Sequence, residues 1–552
     1  MKSPISKFPR SSFSLRSLHI ALTTVCLLTT PTVFAQSTWT WDGGSANSAN
    51  AGAADNWNPN TAPSSNADYN FVFDSANLVS PFRTSVSWNV ADVGLLSLTL
   101  TGSGGTNFTW SGTTSIALQG GISVTSGDHT FNTTATVASN TTWDIAANSS
   151  LTRSAANTFT LASDRTITKT GAGMLLLSGG NSGVAGTLEV QQGMLRAGLN
   201  NALGSGTVAL NGGTLAITAN NSLTNANASV IVLSDSTLNV NRGGNGGSVT
   251  HHMGALSAGS GKLRVEAGNF ITAANTAEVV FGTTTLTNNA TFEVVNNGTG
   301  GTTRLTLSNA VGESGGARGL TKTGNGELLL GAANTYSGAT VVSAGSLIIG
   351  AAGSVGSSSV LDVSSGATLN VDAVSGGFVV GGSQALRGSG TILGNTTVNG
   401  SLQPGNSAGL LSFNNDLTLG STAVTTMEIN GAGVRGTAFD AINVGGLLTY
   451  DGALALSIGT AFGFGSYSFD LFDPNSTAGS FDTVTLGGLY SGSLVNDGGV
   501  WGLANGNETW TFTQSSGLLQ LEVVPEPSTY ALLVLAAAGL GARVIGRRQR
   551  GH

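Results

Sequence analysis

One stretch of this chain occurs twice, nearly unchanged. Ile167-Thr168-Lys169-Thr170-Gly171-Ala172-Gly173-Met174-Leu175-Leu176-Leu177 returns 153 positions later as Leu320-Thr321-Lys322-Thr323-Gly324-Asn325-Gly326-Glu327-Leu328-Leu329-Leu330. Both copies continue through an asparagine, a glycine turn and a β-like run, from Asn181 to Leu195 and from Asn334 to Leu347. A unit this small cannot shield its own apolar row from water. It does so by stacking on its neighbours, which points to a pile of coils rather than a closed globular core.

The rest of the body has the same texture. Thr187-Leu188-Glu189-Val190, Thr207-Val208-Ala209-Leu210, Thr214-Leu215-Ala216-Ile217, Thr237-Leu238-Asn239-Val240, Lys262-Leu263-Arg264-Val265, Thr291-Phe292-Glu293-Val294 and Thr368-Leu369-Asn370-Val371 all alternate with the period of a half-buried strand. No amphipathic helical pattern interrupts them, leaving a sandwich, a barrel or a solenoid. The internal repeat selects the solenoid. Composition agrees: 81 of 552 residues are glycine and only 9% are charged, where about 25% charge is usual. Glycine and asparagine tolerate the left-handed backbone that tight corners need, and stacked Asn and Thr ladders need few charges. A hydrophobic share of 40% excludes a disordered chain, and 10 prolines exclude collagen. At roughly 20 residues per coil and about 4.8 Å between strands, some 400 residues would extend roughly 100 Å.

The two ends differ from the body. Residues 1–19 are basic and polar, Ile20 to Leu28 are mainly apolar, and Thr32-Val33-Phe34-Ala35 precedes Gln36. That anatomy predicts a secretory signal cleaved between Ala35 and Gln36, and export by Sec-type machinery. Near the other end, Pro525-Glu526-Pro527 precedes an apolar stretch from Tyr530 to Ala542, then Arg543, Arg547, Arg548 and Arg550. The positive-inside tendency keeps such an arginine cluster cytoplasmic, so the apolar stretch is expected to be a short transmembrane helix with the body outside. Removing both ends takes away eight Lys/Arg residues and Glu526, which lowers the formal net charge from −7 to −14. So acidic a product has no basic stripe for phosphates, and nucleic acid is excluded as a partner. The single cysteine, Cys26, leaves with the signal, so no disulfide framework is expected.

The order Pro-Glu-Pro, apolar run, arginine cluster resembles the PEP-CTERM sorting signal of Gram-negative bacteria. That resemblance implies recognition by an exosortase, transient anchoring in the inner membrane, removal of the tail, and delivery to the outer surface or matrix alongside exopolysaccharide. The two repeat segments resemble the autotransporter-associated β-strand repeat, carried here by Lys169, Gly171 and Gly173, by Lys322, Gly324 and Gly326, and by Asn334, Tyr336 and Gly338. The first copy departs from the pattern at Gly183, where the tyrosine would stand, and has one extra residue before Gly193. This second resemblance implies a right-handed parallel β-helix of the kind found in adhesins. The expected organisation is a signal over 1–35, an N-terminal cap and first strands over 36–165, the β-helix over 166–412, a further β unit over 413–523, and the sorting tail over 524–552. Trp39, Trp41, Asp42, Trp57, Asn58, Phe71 and Phe73 make an aromatic-rich cap, with stacking on sugar rings as the other reading. From Leu402-Gln403-Pro404-Gly405-Asn406 the texture breaks, and 413–523 reads as the last coils or a small sandwich.

Little in the body reads as catalytic. His129, His251 and His252 are its histidines. Neighbours on a strand face opposite ways, so His251 and His252 cannot share a metal; they are expected as a solvated turn pair. Asp362, Asp372, Asp440, Asp451, Asp470, Asp473 and Asp482 are scattered singly, as turn residues are. No cofactor, metal or catalytic residue is assigned. The expectation is a non-enzymatic surface or matrix protein, adhesin-like and associated with exopolysaccharide or other surface proteins. The alternative is a β-helical polysaccharide lyase or glycoside hydrolase, since distant carboxylates can meet on stacked coils.

Overall fold

The computed structural model describes residues 38–525, apart from 45–48, 59, 79–83, 104, 155–156, 180 and 182. Among these residues the regular structure is β throughout, save two single-turn 3₁₀ segments at Ala54–Asn56 and Ser75–Asn77. The pairing is what a solenoid requires. Thr166 pairs with Thr187, Thr187 with Thr207 and Thr207 with Ser229, always in parallel, so each coil lies in register on the one before. Coils of 20 to 22 residues there lengthen further on, where Lys262 pairs with Thr291 and Ala290 with Leu320, and shorten again where Leu320 pairs with Thr340. The chain is therefore a parallel β-helix, as the repeats imply.

The alternation seen in the sequence is the inside/outside rule of the stack. In Thr187–Val190 the buried residues are Leu188 and Val190, and in Lys262–Ala267 they are Leu263, Val265 and Ala267. Fully burying each such aliphatic side chain contributes about 1.5–3 kcal/mol, and the register stacks Leu188 on Val208 and Val208 on Val230. Because the side-chain period is two, a slip of one residue would put the whole row into water.

The first coils are filled by aromatic rings. Trp41, Trp57, Phe71 and Phe73 are buried, Trp57 packing 5.0 Å from Phe71 and Trp41 stacking 5.7 Å from Phe73. The file continues through Trp110, Phe131 and Trp143 to Phe159. These four entry rings thus belong to the interior, which corrects the reading in which they stack on sugars. Trp39 is only half-buried, against Tyr69, and Asn58 is exposed.

Parallel pairing does not stop near residue 413. Leu410–Phe413 pairs with Ala441–Tyr450, Val424–Ile429 with Ala453–Ile458, and the latter with Thr483–Gly488. From Thr483–Gly488 the order turns antiparallel: Gly492–Asp497, Val500–Asn505, Glu508–Thr513 and Leu518–Val523 form a meander that returns to Gly465–Asp470. Thr483–Gly488 therefore pairs with the meander instead of presenting a free edge to other chains, whereas Phe472–Gly479 pairs with Ala441–Tyr450 alone among the described residues. Both alternatives for this region have a share, further coils first and an antiparallel sheet after them.

Candidate functional site

The repeat lysines point inward. Ile167 and Lys169 are two apart on Thr166–Thr170 and share its buried face, as Leu320 and Lys322 do on Leu320–Thr323. The register sets Lys169 between Trp143 and Val190, and Lys322 between Phe292 and Val342. A charge at such a level needs partners, and the following turn supplies them. Lys169 Nζ donates to the carbonyl oxygens of Thr170 (2.6 Å), Gly171 (2.7 Å) and Gln192 (3.2 Å). Lys322 Nζ does the same to Thr323 (2.8 Å), Gly324 (2.7 Å) and Ala344 (3.1 Å). In each copy two carbonyls belong to the lysine's own coil and one to the next. Burial pulls both ammonium groups down to about 8, which leaves them mainly charged at neutral pH.

The motif glycines form the turn that the lysine closes. Gly324 has φ +73°, and a Cβ there would lie 2.3 Å from the carbonyl oxygen of Val294. Gly345 caps it from the next coil at φ +66°, where a Cβ would lie 2.4 Å from the carbonyl oxygen of Gly324 and 2.9 Å from Lys322 Nζ. Asn334 ties coils on both sides, accepting from Val311 N at 2.8 Å and donating through Nδ2 to Ser354 O at 2.8 Å. Asn181 of the first copy likewise reaches Ala202 O in the next coil. Tyr336 is buried, its hydroxyl 2.7 Å from Thr340 Oγ1, and Gly338 leaves room for the main chain of Arg318 and Gly319.

The histidines correct an expectation. His251 and His252 lie on a strand, Val249–Met253; His251 is buried and His252 exposed. They do face opposite ways, but they are no solvated turn pair. His251 Nδ1 accepts from Leu223 N at 3.1 Å, and Nε2 lies 3.2 Å from Asn241 O. His129 repeats the arrangement with Phe108 N (3.0 Å) and Ser126 O (2.7 Å). Each ring thus links main-chain groups of neighbouring segments as a neutral imidazole, and burial lowers both pKa values below the usual 6.5.

The aspartates do not gather into one site. Asp372, Asp473 and Asp482 are exposed, Asp451 accepts from Gly452 N, and Asp470 lies 3.3 Å from Arg435. Asp440 is buried and accepts from Gly409 N and Glu428 N, both at 2.7 Å; burial pushes it up to about 7. Asp362 is buried against Arg387 Nε at 2.8 Å. Among the described residues no group of three or more His, Cys, Asp or Glu could hold a metal ion, and no helix is long and apolar enough to cross a membrane.

Of the sorting residues, only Pro525 falls among the described ones. It follows immediately on Val524, whose N–H donates to Asn507 O at 2.9 Å, so the Pro-Glu-Pro sequence begins where the terminal sheet ends. Ala35, Gln36, Glu526, Pro527, Arg543, Arg547, Arg548 and Arg550, with the apolar stretch before the arginines, lie outside the described residues.

A parallel β-helix in which two corresponding turns are closed by inward lysines is a stacked-repeat protein. Its repeats are of a known kind: residues 167–197 and 320–349 match the passenger-associated-transport-repeat model, and 523–548 match the PEP-CTERM protein-sorting motif. No curated protein matches the chain. The repeats and the motif mark an exported, cell-surface β-helical protein of the Gram-negative type, and the motif implies processing by an exosortase.

Proposed function

We propose that this protein is a structural component of the cell surface or extracellular matrix, adhesin-like, which holds exopolysaccharide without cleaving it. In this reading Sec-type machinery exports the chain, the tail anchors it transiently in the inner membrane, and the exosortase releases the body outward. The supporting observation is the fate of the buried ionisable groups. Lys169, Lys322, His129, His251 and Asp440 all bond to main-chain atoms, which supports a structural use for them.

A depolymerase on the same fold is the rival reading, and Asp440 near Glu428 is the feature that favours it. A buried acid held near 7 is what a glycosidase acid requires. Yet both Asp440 oxygens already accept main-chain N–H bonds. The deciding experiment incubates the secreted protein with the exopolysaccharide of the producing cells, measuring co-sedimentation and newly formed reducing or unsaturated ends together. Saturable co-sedimentation without new ends is expected. Chain cleavage that disappears in Asp440→Asn would overturn the scaffold reading.

A further inference from the structure

One cleft, of about 290 Å³, is lined by Arg387, Gln403, Thr426, Glu428, Asp440 and the segment Pro404-Gly405-Asn406-Ser407. Its floor follows from register. Arg387 lies opposite Gln403, and Leu402 opposite Thr425, which makes Gln403 and Thr426 neighbours on the outward face. Glu428 lies two residues beyond Thr426 on that same face of Val424–Ile429.

The wall is built to stay in place. Gly388 and Gly405 form an antiparallel bridge, with Gly405 N donating to Gly388 O at 2.7 Å, in a stretch where Ser401–Pro404 otherwise pairs in parallel on both sides. Gly405 has φ +78°, and a Cβ there would lie 2.0 Å from Ser407 O. Asn406 Nδ2 donates to Asp362 Oδ2 at 3.4 Å, while Asp440 accepts from Gly409 N beyond the segment. A segment braced at so many points has already lost the freedom that binding would otherwise remove.

Two of the charged groups that this wall encloses have hydrogen-bonding capacity to spare. Arg387 uses Nε on the buried Asp362, and its terminal nitrogens have no hydrogen-bond partner among the described residues. Among the described residues the Glu428 carboxylate has neither a hydrogen bond nor an ion pair. A guanidinium, an amide, two hydroxyls and the Glu428 carboxylate therefore face one small space, which the Asp440 carboxyl, held by main-chain N–H groups, also lines. A sugar hydroxyl donates one hydrogen bond and accepts others, so adjacent hydroxyls of a pyranose suit a carboxylate that accepts and a planar fork that donates. Since Asp362 balances Arg387, the charge left over is that of Glu428, beside an Asp440 carboxyl that burial pushes up to about 7, and this excess of acid disfavours uronates and phosphates.

We propose that this cleft is a subsite for one neutral hexose residue of a surface glycan, with Glu428 accepting from adjacent hydroxyls while Arg387 and Gln403 donate to them. The proposal rests on the glycan-holding reading above and locates it.

The test titrates the secreted protein calorimetrically with gluco-, galacto- and manno-hexaose, and separately measures co-sedimentation with the exopolysaccharide of the producing cells. At least one hexaose is expected to bind, and Glu428→Gln and Gln403→Ala should each weaken it about tenfold or more with an unchanged unfolding midpoint. Glu266→Gln, on other coils, should bind as the parent does. Should either cleft variant lower the midpoint, Thr426→Val gives the same readout without a change of charge. Failure of every hexaose to bind, or binding insensitive to the cleft variants, overturns the subsite. If whole exopolysaccharide is still retained, the cleft alone is rejected; if it is not, the wider reading falls with it. Release of reducing ends from a bound hexaose also overturns a binding-only cleft.

Discussion

Lys322 Nζ lies 2.7 Å from the carbonyl oxygen of Gly324 and 3.1 Å from that of Ala344, so one buried ammonium closes its own turn and fastens the next coil to it. Lys169 does the same 153 residues earlier, with Gly171 and Gln192. Two independent copies of one geometry make it a rule of the repeat. Lys322→Met keeps the stem and removes the donors, leaving carbonyls with lost charge-assisted bonds. The expected loss is about 2–4 kcal/mol, read as a lower urea midpoint, and Lys169→Met should lose a similar amount.

Two glycines separate backbone strain from crowding. Gly324 (φ +73°) and Gly366 (φ +75°) share a left-handed backbone, but a Cβ at Gly324 meets Val294 O at 2.3 Å while one at Gly366 meets nothing within 4 Å. Gly366→Ala should therefore cost only the left-handed preference, about 1–2 kcal/mol. Gly324→Ala must also push two coils apart, and should cost at least about 3 kcal/mol. Equal losses in the two urea titrations would show that the coils do not meet at this turn.

Much of this was legible in the sequence. Period-two runs such as Thr187–Val190 place Leu188 and Val190 inside, and the repeat implied stacking. The role of the lysine was also present, in that Ile167 and Lys169 are two apart and must share a face, but a lysine in a strand ordinarily reads as outward. His251 was obscured by its position in an apparent Gly/Asn-rich turn region. The cleft was beyond reach because Asp362, Arg387, Gln403 and Glu428 come together only through coil lengths that vary along the chain, and nothing in local spacing encodes them.

The buried histidines should make the stack sensitive to mild acid. Their folded pKa values lie below the usual 6.5 because burial disfavours the imidazolium. Unfolding therefore takes up protons, and the stability these rings contribute is complete above 6.5 and lost as pH falls below it. Asp440 works in the opposite sense: held up to about 7, it contributes most below the usual 3.8 and loses that contribution as pH rises through 7. The informative quantity is consequently a difference. Replacing His129 and His251 together by glutamine should flatten the fall in the thermal midpoint between pH 6.5 and 5, and an unchanged profile would place the rings in water.

Tyr336→Phe tests the buried polar link in the second repeat. The tyrosine hydroxyl bonds Thr340 Oγ1, which in turn lies 2.9 Å from Ser358 Oγ in the next coil. Losing one member of this chain should cost about 1 kcal/mol, measured by denaturant titration, without loss of β signal in circular dichroism. No change at all would mean that water replaces the hydroxyl and that the site is open.

In the reading proposed above, the stacked β-helix is made for the outside of the cell and is released there by cleavage of its tail. Intact-mass analysis of the protein recovered from the surface of the producing cells tests it most directly. The expected species is a chain that begins near Gln36 and lacks Arg543 to Arg550, with its new end close to Pro525–Pro527. Surface protein that still carries Arg550, or a chain found only inside the cell, would contradict it.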